Sequence, residues 1–340
     1  MQRPSLQSKW WKAARFWLGI AVGLLAVYAI ARDVQWPEVT AVLSRADLLF
    51  FLLALGSTLL TTWAKARRWR LLFYPGQAML SVRDCVAALL AGQLANNVLP
   101  ARLGDVLRAY LLGESIGTSS VFALATLVVE KAMDSVMLLL LIALLSVWMP
   151  MPPWLRRSSL LVSGVLGILL VALLIVANQR QRIVGILRDW IARHPALAFL
   201  RAVQNLVEAS GELEALRKGW VQAQLWGWSL LIWTIAVLTN VLVFWTLHQS
   251  FDPLAPPLLL AVLMSGAILP TSPLQLGVFH YLCIITLSLF GMAQGTALGY
   301  AVLLHLVVYL PIVIGGFFGL SGRFGSHSKR TTDLEVTDNG

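Results

Sequence analysis

Residues 121–148 read VFALATLVVEKAMDSVMLLLLIALLSVW. A run of this length and apolarity is enough to cross the hydrocarbon of a bilayer as a helix, which takes about 20 residues. Helix is the one local structure it can adopt there, because backbone groups in lipid must bond within their own segment. A membrane barrel is excluded, since it needs roughly ten-residue alternating strands. Three charges interrupt the run, Glu130, Lys131 and Asp134, and the two acids, four apart, share one helix face. The rest of the chain has the same character. Of its 340 residues 58% are apolar and 12% are charged, against about 45–50% and about 25% in soluble domains. Too few polar side chains exist to coat a soluble fold, and an ordinary soluble enzyme, a disordered chain and a secreted disulfide scaffold are all excluded. The two cysteines, Cys85 and Cys283, are far apart and have no metal-ligand spacing; neither a metal nor a cofactor is expected.

Further spans of this kind are expected at 13–31, 48–63 (extending towards Ala66), 160–177, 225–247 and 297–320. Two more apolar segments are broken. One runs 82–99, stops at Pro100 and returns through 102–112. The other runs 256–269, breaks at Pro270-Thr-Ser-Pro273, and returns through 276–292. The fold class is therefore all-α integral membrane, with six full spans and two broken or re-entrant hairpins, or eight spans if the hairpins cross.

The basic residues fix an orientation. Arg3, Lys9, Lys12 and Arg15 precede the first span. Lys65, Arg67, Arg68, Arg70 and Arg83 follow the second. The loop 178–222 carries Arg180, Arg182, Arg188, Arg193, Arg201, Arg217 and Lys218. By the positive-inside rule these lie in the cytoplasm, with both termini. The formal charge of +10 is thus explained by anionic lipid as the neighbour, without nucleic acid. Each hairpin must then return to the side it came from. The halves 13–148 and 158–320 share the order span, span, hairpin, span and start on opposite sides, the pattern of an inverted repeat. Pro100-Ala-Arg-Leu-Gly104 and Pro273-Leu-Gln-Leu-Gly277 stand at equivalent places. Residues 1–322 form one membrane domain, and 323–340 are expected to be a disordered cytoplasmic tail. Ile183, Ile186, Leu187, Trp190 and Ile191 make one apolar helical face, either on the membrane surface or packed on the spans.

Charges inside the membrane single out a site. A charged group at mid-membrane costs roughly 2.5–3.5 kcal/mol on insertion scales. Glu130 and Asp134 therefore need partners, and the first hairpin offers Arg102, Asp105 and Arg108, with Asn96 and Asn97 beside them. Two readings stay open: an ion-pair network that pins hairpin to span, or a site where the arginines grip an anionic lipid head group and the acids hold them in place. Arginine suits the second because its fork binds phosphate at two points. In the second half His280 and His305 are helix–helix hydrogen-bonding groups or proton carriers.

At these residues the chain resembles the flippase-like family, the membrane region of lysylphosphatidylglycerol synthases and its stand-alone relatives. Four stretches carry the resemblance: Arg67-Arg-Trp-Arg70 with Leu71-Leu72; Asn96-Asn-Val-Leu-Pro-Ala-Arg-Leu-Gly-Asp105 with Arg108; Glu130-Lys-Ala-Met-Asp134; and Pro270-Thr-Ser-Pro-Leu-Gln-Leu-Gly-Val-Phe-His280. The last departs from the family pattern, which has paired glycines at Leu274 and Gln275 and an acid at His280. The resemblance covers roughly 10–322. It implies a flippase for an anionic or polyprenyl-linked lipid in the bacterial inner membrane, with Arg68, Asn97, Arg102, Asp105 and Arg108 at the head group. Glu130 and Asp134 support them, and Pro270, Pro273, Gly277 and His280 form the second hairpin. The soluble transferase domain of the synthases is not expected in 323–340, so the implied partners are the lipid itself and a separate lipid-modifying enzyme. Two other classes compete. A membrane glycosyltransferase would want paired outer-loop acids, and the loop 32–47 offers only Asp33, Glu38 and Asp47. A non-transporting subunit would have Glu130 and Asp134 fully paired and no groove.

Overall fold

The structure is a computed structural model that describes residues 36–98, 103–116, 119–149, 180–193, 214–266, 275 and 277–337. The expected spans at 13–31 and 160–177, and Arg102, Pro270 and Pro273 in the two hairpin breaks, lie outside the described residues.

Among the described residues every regular element is a helix. The α-helices are α1 (Trp36–Ser44), α2 (Leu48–Leu71), α3 (Val82–Val98), α4 (Leu103–Ile116), α5 (Ser120–Trp148), α6 (Arg180–Arg193), α7 (Gly219–Thr246), α8 (Ala255–Gly266), α9 (Val278–Ser288) and α10 (Gln294–Thr337). Among the described residues, α2, α7 and Gln294–Gly319 of α10 are candidate membrane spans by length and apolarity. At 29 residues α5 is roughly 44 Å long, with its three charges in the first half. The apolar face expected near Ile183–Ile191 does fall in a helix, α6. Residues 323–337, expected to be disordered, continue α10 to Thr337; extending a formed helix adds one bond per residue, without the nucleation cost.

Local chemistry sets the helix starts. Asp47 caps α2, its Oδ1 accepting from Leu49 N at 2.8 Å and Phe50 N at 3.3 Å. Ser119 caps α5 through Val121 N. Such caps satisfy amides that have no partner within the helix.

α2 and α7 run antiparallel in contact along their length. Three polar rungs join them. Asp47 N donates to Thr246 O at 2.8 Å, the Ser57 and Thr239 hydroxyls meet at 2.8 Å, and Arg68 Nη1 reaches Ser229 Oγ at 3.0 Å. On α2 up to Ala66 the inward residues are small (Ala54, Ser57, Thr62, Ala64, Ala66), while Leu48, Leu49, Leu52, Leu53, Leu59 and Leu60 face outward. Small inside and large apolar outside is how helices associate in lipid, where close packing rather than water exclusion drives contact.

The hairpins pack at opposite ends of this pair. α3 and α4 close where Gly92 meets Gly104 backbone to backbone. α3 also lies on α10, whose Gly315, Gly316 and Gly319 admit Leu90, Leu94 and Ala87. The second hairpin, α8 and α9, contacts α5 through α8 and α10 through α9. Two main apolar cores follow: one around α3, α4, the end of α2 and the start of α5 and α7, the other around α8, α9, α10 and the end of α7.

Candidate functional site

Five helices converge on a buried charged network at the first hairpin, α3 through Asn96. The end of α2 supplies Lys65, Arg68 and Trp69; α4 supplies Asp105 and Arg108; α5 supplies Thr126, Glu130, Lys131 and Asp134; α7 supplies Ser229. Helical spacing puts each set on one face: 65, 68 and 69 on α2, 105 and 108 on α4, and 126, 130 and 134 on α5.

Arg68, fully buried, donates from Nη1 to Asp134 Oδ1 at 2.7 Å as well as to Ser229. Its Nη2 lies 4.0 Å from Glu130 Oε1, beyond hydrogen-bond range. Arg108 donates from Nη2 to Glu130 Oε1 at 3.1 Å, and its Nε sits 3.4 Å from Asp105 Oδ1. The Arg108 guanidinium lies 5.0 Å from the Trp69 ring centroid, a cation–π contact. That indole is fixed in turn, donating from Nε1 to Thr126 Oγ1 at 2.9 Å. Lys131 Nζ approaches Asp105 Oδ2 at 3.6 Å, and Asn96 Nδ2 donates to Asp105 Oδ1 at 3.3 Å.

The network is not electrically closed. Lys65 lies in the field of Asp134, Glu130, Arg68 and Lys131, and no carboxylate among the described residues forms an ion pair with it. Lys65, Arg68, Arg108 and Lys131 thus face three carboxylates, Asp105, Glu130 and Asp134. Buried Arg68 Nε and Nη2, Arg108 Nε and Glu130 Oε2 have no hydrogen-bond partner. An unmade bond at a buried polar group costs about 1–3 kcal/mol. The burial is graded: Arg68 and Glu130 are enclosed, while the side chains of Asp134, Asp105 and Lys131 are 31%, 25% and 51% exposed. A donor-rich arrangement with one open side is suited to an incoming oxyanion.

The structure thus brings together Arg68, Asp105, Arg108, Glu130 and Asp134 from the sequence-derived set. Asn97 stands at the end of α3, and the amide that reaches the network is that of Asn96. Lys65, Trp69, Thr126 and Ser229 were not expected; the spacing of Lys65, Arg68 and Trp69 was the available signal for the first two. Gly277 caps α9 at φ 89°. His280, on α9, makes its contacts in the other core. Its ring stacks on His305 at 5.0 Å, and His305 stacks on Tyr309 at 4.1 Å.

Spanning helices, small inward residues and buried intramembrane charge define a multi-pass helical membrane protein. The chain belongs to the family described as the lysylphosphatidylglycerol synthase TM region, whose model matches residues 16–316. It is similar to a UPF0104 membrane protein of Methanocaldococcus jannaschii, with 27% identity over 241 residues, which cover 65% of this chain and 90% of that protein. No solved structure matches.

Proposed function

We propose that this protein is a flippase that carries a lipid with an anionic or polyprenyl-linked head group across the bacterial inner membrane. The observation that carries the reading is the excess of buried cationic donors at Arg68 and Arg108, with Lys65 beside them. A phosphate oxygen entering past Asp134 would meet Arg68 Nε and Nη2 and Arg108 Nε, and would balance the unmatched cation. Arg102, on the same hairpin, belongs to this head-group set. Glu130 and Asp134 hold the arginines in place and compete with the lipid for them, so that binding stays reversible.

The packing supports an inverted repeat of the halves 13–148 and 158–320, and the positive-inside rule supports both termini in the cytoplasm. Each contact has its counterpart: α2 with α3 and α7 with α8, α4 with α5 and α9 with α10, α3 with α10 and α8 with α5. Helices broken near the midplane are where transporters of this design build sites. A lipid-modifying enzyme would supply or consume the lipid.

The ion pairs of Arg68 with Asp134 and Arg108 with Glu130 favour a second reading, a non-transporting subunit whose network only pins helices. The unpartnered donors Arg68 Nε and Nη2 weigh against it, because a network that only pins helices ordinarily satisfies its buried N–H groups. The test is translocation of a fluorescent anionic phospholipid in vesicles containing the purified protein. Transport by the wild type that is lost in Arg68→Gln, Arg102→Ala and Arg108→Gln supports the flippase. Absence of transport by the wild type, or full transport in all three variants, rejects it.

A further inference from the structure

Arg67 is the neighbour of Arg68 in sequence and points to the other side of α2. One turn before it stands Trp63, and one turn after it Arg70 and Leu71. On α7 the same division holds: Leu225 and Ser229 face inward, while Gln224 and Trp228 face outward. These outward residues enclose a cleft of about 440 Å³ lined by Arg67, Arg70, Leu71, Gln224 and Trp228, within the usual size of a ligand site. Its lining includes two arginines and an amide and no carboxylate.

The geometry of Arg67 is specific. The Trp63 and Trp228 rings meet edge to face at 5.5 Å. The Arg67 guanidinium carbon lies 5.5 Å from one centroid and 5.9 Å from the other. Among the described residues no carboxylate forms an ion pair with Arg67. Contact through its face leaves the edge of the guanidinium, where the N–H groups point, open to a planar pair of oxygens. The level in the membrane is also marked. Trp220 and Trp226 are exposed at this end of α7, as aromatic residues are at the head-group layer. From Trp63 back along α2 the exposed surface is Leu60, Leu59 and Leu52, and from Trp228 on along α7 it is Leu230 and Leu231. These two rows give acyl chains an apolar track leading away from the cleft.

We propose that this cleft is a lipid-phosphate site on the outer face of the α2–α7 pair, separate from the buried network. Arg67 grips the phosphate in bidentate fashion, Gln224 donates a further bond, and the indoles flank the glycerol. The proposal does not depend on transport. It is tested with the full-length protein in phosphatidylcholine vesicles, using phosphatidylglycerol that carries a photoreactive group on its head.

Labelling is expected in the peptides that contain Trp63 and Trp228, and to fall about tenfold, the equivalent of about 1.4 kcal/mol, in Arg67→Gln. Unlabelled phosphatidylglycerol should compete; diacylglycerol and inorganic phosphate at equal concentration should not. Gln224→Ala, on an exposed position, provides a second variant should Arg67→Gln fail to fold, with a several-fold loss expected. Unchanged labelling in the folded variants overturns the site. Equal competition by diacylglycerol overturns the phosphate assignment, and equal competition by inorganic phosphate overturns the lipid.

Discussion

Arg68 Nη1 and Asp134 Oδ1 meet at 2.7 Å, 66 residues apart in the chain, and join the end of α2 to the first half of α5. The pair is unequal. Arg68 is enclosed, and the Asp134 side chain is about one-third exposed. Removing Arg68 would leave Glu130 with one arginine and Asp134 with none, whereas Asp134→Asn keeps an acceptor at the same place. Arg68→Ala is therefore expected to destabilise by about 3–5 kcal/mol, the range for breaking a buried pair. Asp134→Asn should cost about 1 kcal/mol. Thermal unfolding of the purified protein in detergent measures both, and an equal loss in the two variants would refute the asymmetry.

Glu130→Gln separates the flippase from the structural subunit. Glutamine keeps the shape and an acceptor for Arg108, so the fold should survive. It removes the charge that competes with a phosphate for Arg68 and Arg108. Anionic-lipid binding at the network should then tighten while translocation falls by at least about tenfold, a barrier change of about 1.4 kcal/mol. Vesicle transport and lipid binding measured on the same preparation decide this. If neither moves, the carboxylate only pins helices.

The long elements were legible because length and apolarity survive any packing. The stretch 121–148 became α5, Ser120–Trp148, almost residue for residue. The reading of α2 stopped short. Apolarity ends at Trp63, but the backbone stays helical to Leu71, since Lys65–Arg70 are good helix formers with a tertiary role. That extension places Arg68 at the site. What spacing could not show is which helices meet. Arg102 and Arg108 were the natural partners for the two acids on the first hairpin, yet Asp134 bonds Arg68, from a helix much earlier in the chain. Of the two adjacent amides, Asn96 is the one that bonds Asp105, and one residue turns a side chain by about 100° around a helix. The antiparallel rungs of α2 and α7 were equally hidden, because Ser57 and Thr239 look like any hydroxyls in an apolar run.

Gly104 is expected to be intolerant of any side chain. A Cβ there would overlap the carbonyl oxygen of Gly92 and come within 2.6 Å of Asn96 N. Both atoms are backbone and cannot rotate away. Gly104→Ala should cost about 1–3 kcal/mol as an overpacked contact, and should shift Asp105 away from Asn96. Gly56, in the middle of α2, has nothing within 4 Å, so Gly56→Ala should be neutral or gain about 0.5–1 kcal/mol. The unfolding temperature in detergent should fall for Gly104→Ala and hold or rise for Gly56→Ala; a tolerated alanine at 104 would mean that the α3–α4 contact is looser than described.

Gln275, just before the start of α9, has its backbone at φ 55°. A side chain in the left-handed region costs roughly 1–2 kcal/mol, of which glycine's own chain entropy returns about half. Gln275→Gly is therefore expected to stabilise by about 0.5–1 kcal/mol, a gain that follows from glycine's freedom at positive φ. A rise in unfolding temperature checks it, and a fall would show that the Gln275 side chain makes a contact worth more than the strain.

Orientation can be settled on single residues. Cys85 and Cys283 are buried, so a membrane-impermeant thiol reagent should find little background. Met79, 76% exposed after α2, and Ser250, exposed after α7, lie at opposite ends of the antiparallel α2–α7 pair. With the basic residues that follow α2 in the cytoplasm, Met79→Cys should be labelled only after the membrane is opened, and Ser250→Cys in intact cells lacking an outer membrane. The reverse pattern would invert the protein. It would also place Arg67, Arg70 and the cleft between α2 and α7 on the outer leaflet, so the labelling fixes which leaflet presents lipid to that cleft.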